Sequence, residues 1–412
     1  MRSLILVLTL SGVIGALPAA EAAATIAGVS PATKNHATSS ARLAAAAGAR
    51  FGFELFARLR RAPGNVFFSP LSIEMALAMA SDGAADETAR QMRATLHLPP
   101  DAPLDFAALS RELSPVDTAY DLVIANALWG HLGTSFRPAY LDRLKSGYGA
   151  EITPVDFTDP PRASATINGW IRKQTRGLIQ DMIPPETIRP QTGLILTDAV
   201  YFKGRWADPF DEAMTSEQDF TTSEGPKVRT PFMQRSRGYR YAENESAQVL
   251  ELPYAGGGLS MLVILPRRRA DLDRVEKDLS FDDVKRWLAR LSSRLVEVHL
   301  PRFRLETRYA LEETLPGMGM ADAFDSNRAD FSRMDGRRGL FIGLVAHKAF
   351  VEVNEKGTTA AAATGVMMPT ALIRPASEAP VVFRADHPFL FLIRDSRTGG
   401  VLFMGRLARP GA

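Results

Sequence analysis

Phe350-Val351-Glu352-Val353 runs on through Asn354-Glu355-Lys356 into Gly357-Thr358-Thr359-Ala360-Ala361-Ala362-Ala363-Thr364-Gly365-Val366. The first four residues read as the end of a strong strand. From Gly357 to Ile373 the chain carries no charge. Alanine-rich segments are ordinarily helical, but Thr358, Thr359 and Gly365 argue against a stable helix. The next firm strand begins only at Val381, and so long a connection is uncommon unless it is functional or disordered. Small uncharged side chains have another use. They let a segment slide between two strands of a packed sheet, where inward positions tolerate neither bulk nor charge.

Strand-like apolar runs surround this segment on both sides. They are Leu122–Leu128, Gly193–Phe202, Leu259–Leu265, Leu295–Leu300 and Phe341–Val353, then Val381–Arg384, Phe389–Ile393 and Val401–Gly405. Helices are predicted over Ser164–Thr175 and Phe281–Leu291, and an amphipathic face is formed by Phe51, Leu55, Phe56 and Leu59. Ser69 is placed to cap a helix that has Pro70 at its first position. No repeat of regular length occurs. The pattern predicts one mixed α+β domain rich in sheet, over residues 48–412, rather than a chain of βαβ units.

Residues 1–22 carry Arg2, an apolar run from Leu4 to Leu17, and Ala20-Glu21-Ala22 as a small-residue cleavage pattern, which predicts a signal peptide. Residues 23–47 are rich in Ala, Ser and Thr and read as a linker. A secreted or periplasmic monomer is therefore expected. The 412 residues hold 49 basic and 46 acidic side chains, an excess too small to point to nucleic acid or an anionic membrane. There is no cysteine, which excludes disulfides, a thiol nucleophile and cysteine-ligated zinc. His36, His97, His131, His299, His347 and His387 show no metal-ligand spacing. No G-x-S-x-G, H-E-x-x-H or Walker A motif occurs. Neither a metal nor a cofactor is expected, and a secreted hydrolase is disfavoured for want of a nucleophile motif.

Several further blocks occur in a definite order. They are Asn65-Val-Phe-Phe-Ser-Pro-Leu-Ser-Ile-Glu-Met-Ala-Leu, Asn126-Ala-Leu-Trp, Tyr148-Gly-Ala-Glu, Val155-Asp-Phe and Thr175-Arg-Gly-Leu-Ile. Next come Asp198-Ala-Val-Tyr-Phe-Lys-Gly-Arg-Trp, Asp386-His-Pro-Phe-Leu-Phe-Leu-Ile and Leu402-Phe-Met-Gly-Arg. From about Arg50 to Pro410 the chain resembles the serpins. The resemblance implies three β-sheets, eight or nine helices and an exposed reactive loop over about 355–380. It implies an inhibitor rather than an enzyme: a serine protease cleaves the loop, and the cut loop inserts as a new strand while the acyl-enzyme persists. A non-inhibitory carrier or chaperone and an inhibitor of papain-like cysteine proteases are the alternatives, since fold alone does not fix function.

By the same resemblance, the hinge that inserts first comprises Glu355, Gly357, Thr358, Thr359, Ala360, Ala361, Ala362, Ala363 and Thr364. Period-two alternation turns Thr358, Ala360, Ala362 and Thr364 inward. Arg302 matches the basic partner of Glu355, and Trp206 lies where the loop enters the sheet. Ser69, Ser72, Asp198 and His347 match the polar cluster where the sheet must part. The family's spacing, counted from Glu355, puts the reactive bond at Ala371–Leu372, with Leu372–Ile373 as the alternative. Ala371 suits elastase-like proteases and Leu372 chymotrypsin-like ones. Three features depart from the family pattern. The stretch leading to His387 is somewhat long, Pro369 lies late in the loop, and Asp198 stands where asparagine is usual. A carboxylate beside His347 is expected to favour a charged imidazolium and to make sheet opening depend on pH.

Overall fold

The computed structural model describes residues 38–99, 105–113, 120–358 and 379–411. In chain order the strands begin with β1 (Val66–Phe68), β2 (Tyr120–His131), β3 (Ile152–Val155), β4 (Leu194–Arg205) and β5 (Ser216–Thr221). Next come β6 (Lys227–Glu243), β7 (Ala247–Pro253), β8 (Leu259–Pro266), β9 (Ser292–Pro301) and β10 (Phe303–Ala310). The last are β11 (Ile342–Asn354), β12 (Gly357–Thr358), β13 (Val381–Arg384), β14 (Phe389–Asp395) and β15 (Val401–Leu407). The helices are α1 (Ser39–Leu59), α2 (Pro70–Asp82), α3 (Asp86–Thr95), α4 (Phe106–Leu113) and α5 (Pro138–Tyr148). They continue with α6 (Pro160–Gln174), α7 (Leu272–Asp278), α8 (Phe281–Arg290) and α9 (Ser332–Asp335).

The strands form a six-stranded sheet in the order β10-β11-β12-β4-β2-β3 and a nine-stranded sheet led by β1-β15-β14-β8-β7-β6-β9-β13, with β5 on β6. The three sheets expected from the resemblance become two continuous ladders because β6 serves twice. Its N-terminal part pairs with β5, its C-terminal part with β7, and β9 runs alongside both. The two sheets meet over an aromatic core, where Phe202 of β4 lies 5.8 Å from Phe403 of β15. Within the nine-stranded sheet Phe67 stacks on Phe391 and Phe403 with centroids 5.8 and 5.4 Å apart, a geometry that adds to simple burial.

β4 is buried on both faces, which its unbroken run Leu194-Ile-Leu-Thr-Asp-Ala-Val predicts. Leu194, Leu196, Val200 and Phe202 enter the main core. Ile195 and Ala199, with Leu344 and Ala346 of β11, pack on the other face against Ile167 and Ile171 of α6. α6 starts from an Asp159 N-cap, and its apolar face shares this cluster with Ala125, Ala127 and Trp129 of β2. On the inner face, α2 starts at Pro70 from an N-cap in which Ser69 accepts the Ser72 N–H at 3.3 Å. α1 packs closely on α2 at Gly52, where a Cβ would meet Pro70 at 2.5 Å, and at Gly48, where it would meet Glu74. Glu74 is fully buried with no hydrogen-bond partner, and burial pushes its carboxyl well above the usual carboxylate range.

Two expectations need adjustment. The linker expected over 23–47 overlaps α1, which begins at Ser39 with Thr38 accepting the Ala41 N–H. β6, the longest strand, is absent from the apolar runs of the sequence. Its Arg229, Arg235, Arg237 and Arg240 interrupt any such run, and cross-strand pairing defines it instead. Among the described residues no helix is long and apolar enough to cross a membrane.

Candidate functional site

The site lies along the boundary between β4 and β11. In its lower part the two strands pair directly and in parallel, from Ile342 opposite Leu194 to Phe350 opposite Tyr201. In its upper part they are separated by β12, antiparallel to both. Thr358 lies opposite Val353 of β11 and Gly204 of β4. Gly357 lies opposite Asn354 and Arg205. Gly357 takes φ +144°, and a Cβ there would come 2.0 Å from the Gly204 carbonyl oxygen, so only glycine fits.

Glu355 precedes this short strand and is almost fully buried. Arg302, on the turn between β9 and β10, donates through Nε to Glu355 Oε1 at 2.7 Å. Thr215 donates to the same oxygen. Burial pushes the Glu355 carboxyl up, but the hydrogen bonds from Arg302 and Thr215 outweigh it and hold it below the usual carboxylate range. The Phe210 N–H donates to the Glu355 carbonyl at 2.9 Å and the Trp206 N–H to the Lys356 carbonyl at 3.0 Å. Trp206 Nε1 donates to the Asn354 carbonyl at 2.9 Å. The Trp206 ring stacks on Tyr254 at 4.6 Å and 11°. Thr358 is fully buried, and its Oγ1 lies 2.8 Å from the Tyr254 hydroxyl.

Ser69, Ser72, Asp198 and His347 come together under the lower part, all buried. His347 and Asp198 are register partners across the boundary, with Nδ1 and Oδ2 3.0 Å apart, although the two are not aligned as a hydrogen bond. Ser72 donates to Asp198 Oδ1 and also lies 3.0 Å from Asn126 Oδ1. Asn126 Nδ2 donates to the Ser72 carbonyl at 2.8 Å. The Ser69 N–H donates to His347 Nε2 at 3.2 Å. Nε2 therefore acts as the acceptor in this contact. The carboxylate expected beside His347 is in place, 3.0 Å from the ring.

Of the expected hinge residues, Glu355, Gly357 and Thr358 are described. Thr359, Ala360, Ala361, Ala362, Ala363 and Thr364 lie outside the described residues, as do the reactive-bond candidates Ala371, Leu372 and Ile373, and Pro369. Two residues of the site carry no role in the sequence reading. Tyr254 ends the β7 run and belongs to no motif, and Asn126 belongs to a motif that does not disclose its contact with Ser72. Among the described residues no group of three or more His, Cys, Asp or Glu could hold a metal ion.

A family model described as Serpin (serine protease inhibitor) matches residues 46–410. Leukocyte elastase inhibitor A of Mus musculus is 38% identical over 373 residues, spanning 87% of this chain and 97% of the relative. Serpin B6 of Macaca fascicularis is 41% identical over 356 residues, spanning 84% and 93%. The crystal structure of human thyroxine-binding globulin with bound hormone superposes with a TM-score of 0.81 at 28% identity, covering 90% of this chain and 100% of that one. These relatives also correct the expected location. The leukocyte elastase inhibitors and serpin B6 are intracellular serpins without signal peptides. A secreted or periplasmic location is therefore not what these relatives support, and the signal peptide expected over 1–22 lies outside the described residues.

Proposed function

The chain belongs to the serpin family, and on that premise we propose that it inhibits serine proteases of elastase-like or chymotrypsin-like specificity as a suicide substrate. The observation that carries this reading is the hinge. Glu355 is fixed by Arg302, and Gly357 and Thr358 lie as β12 between β4 and β11. A strand already begun at the top of the boundary has a defined path downward, and residues 359–364 are small and uncharged. Nothing in that stretch opposes burial between two strands.

The chemistry belongs to the attacking protease. Its serine Oγ adds to the carbonyl carbon of residue 371, and the amine of residue 372 leaves with a proton. The ester that remains would normally be hydrolysed. Insertion of the cut loop competes with that hydrolysis by carrying the tethered protease away and deforming it. The chain is consumed once. The relatives named as elastase inhibitors support an elastase-like target.

Mixing the protein with elastase-like and chymotrypsin-like proteases tests this. A covalent complex on a denaturing gel is expected, with a released C-terminal peptide beginning at Leu372 or Ile373. A peptide beginning at Pro375 overturns the bond assignment. Cleavage with no complex favours the carrier reading, for which the likeness to a hormone-binding globulin is the motivating observation. A papain-like protease in the same assay tests the cysteine-protease alternative.

A further inference from the structure

Thr358 and Tyr254 are 104 residues apart in sequence, yet their hydroxyls meet at 2.8 Å in a fully buried position. Burial pushes the Tyr254 phenol far up, so it stays protonated and available as a donor. Its ring is fixed on two sides. It stacks on Trp206 at 4.6 Å and meets Phe202 edge-on at 5.1 Å. Tyr254 is also tied to the strand system by a bridge to Trp206 and by its own N–H, which donates to the Leu259 carbonyl at 3.0 Å. The ring is therefore held by its neighbours independently of the hinge, and among the described residues its hydroxyl's one side-chain partner is the hinge hydroxyl.

We propose that Tyr254 is a positioning residue that clasps the uncut hinge through the hydroxyl of Thr358, so that the loop exchanges between a docked state, the one in this structure, and a released one. In the docked state Gly357 and Thr358 are taken out of the free loop and hold the upper ends of β4 and β11 apart. Release lengthens the bait that a protease can reach and leaves the Tyr254 hydroxyl buried without its partner, which opposes release. The clasp recognises a hydroxyl. Serine at 358 keeps it, whereas valine, which has the same shape and the same preference for a strand, removes it. Any effect on protease trapping rests on the inhibitory reading proposed for the chain; the docking itself does not.

Amide exchange across Glu355–Thr358, measured without any protease, reads the clasp directly. Losing one buried hydrogen bond shifts the docked-to-released ratio by roughly three- to tenfold. Tyr254→Phe and Thr358→Val should each speed exchange by that factor. Combining them should add little, because both remove the same contact. Thr358→Ser should stay close to the parent. The proposal is overturned if Tyr254→Phe or Thr358→Val leaves exchange unchanged, if their effects simply multiply, or if Thr358→Ser behaves like Thr358→Val. Exchange that responds as expected in a protein that traps no protease keeps the clasp and removes the inhibitory reading. Exchange that does not respond in a protein that traps normally does the reverse.

Discussion

The upper and lower halves of one strand boundary differ. Above, β4 and β11 have parted, and the gap is filled by Gly357 and Thr358. Below, the same two strands pair directly, and His347 faces Asp198 across the join with both side chains out of reach of solvent. The upper half is held by hydrogen bonds to the hinge itself, from Arg302, Trp206 and Tyr254, and these can persist when more of the loop enters. The lower half is held by contacts that must be lost when a strand passes between them. The boundary is thus a seam opened at one end and sealed in the middle. Under the proposed insertion mechanism, the seal would supply the barrier and the open end the direction.

The largest effect should come from blocking the open end. Thr358→Arg would force a guanidinium into a fully buried position beside Tyr254, at a cost of several kcal/mol, on the order of 3 or more. The hinge should be expelled and the loop cut as an ordinary substrate, with no covalent complex. Unchanged trapping stoichiometry in this variant would falsify the seam as the route of insertion.

Breaking the seal comes next. Asp198→Ala strips His347 Nδ1 and Ser72 of their common partner inside the sheet, which should destabilise the protein by about 3 kcal/mol and speed insertion of the uncut loop. Asp198→Asn keeps a hydrogen-bonding side chain and should stay within about 1 kcal/mol of the parent. Thermal unfolding and the rate of conversion to the self-inserted form measure both. Equal rates for the alanine variant and the parent would move the barrier elsewhere.

The contrast also explains what the sequence could disclose. β13 is bounded by the same residues in sequence and structure, and β11, β14 and β15 to within two residues, because each is dominated by apolar residues. β6 was not legible, since its arginines hide a strand that only pairing with β9 creates. Glu355 and Arg302 are recognisable as a matched pair from their motifs. Docking of Thr358 is not, because its receptor lies in a turn with no pattern of its own. The link between the seal and the α2 cap was hidden for a similar reason. The acceptor role of His347 Nε2 depends on a backbone N–H 278 residues away in sequence.

A third variant separates the frame from the seam. Glu74 lies on α2, the helix that supplies Ser72, but it points at Gly48 rather than at the strands. Its carboxyl is raised by burial, so the folded state keeps a proton that the unfolded chain releases above about pH 4.3. Stability is full below that value and declines as the pH climbs toward the folded one. Glu74→Met should gain about 2 kcal/mol near neutrality and remove that decline. The rate of self-insertion should not change, because no contact across the seam is altered. A slower rate would mean that α2 packing contributes to the seal.

The smallest effect belongs to the ion pair at the open end. Arg302 is 42% exposed in its side chain, so solvent screens its attraction for Glu355, and the pair contributes about 1 kcal/mol at most. The sign is opposite to that of Glu74. The Glu355 carboxyl is held low by Arg302 and Thr215, so its contribution is present above the ordinary carboxylate value and is lost as the pH falls through the folded one. Hinge docking should therefore loosen in moderately acidic solution. Exchange across Glu355–Thr358, corrected for its intrinsic pH dependence, should rise on acidification in the parent and stay flat in Glu355→Gln. Added salt should mimic part of the acid effect in the parent alone. Parallel curves for the two proteins would assign the docking to Tyr254, Trp206 and the strand pairing, and leave the ion pair as a surface contact.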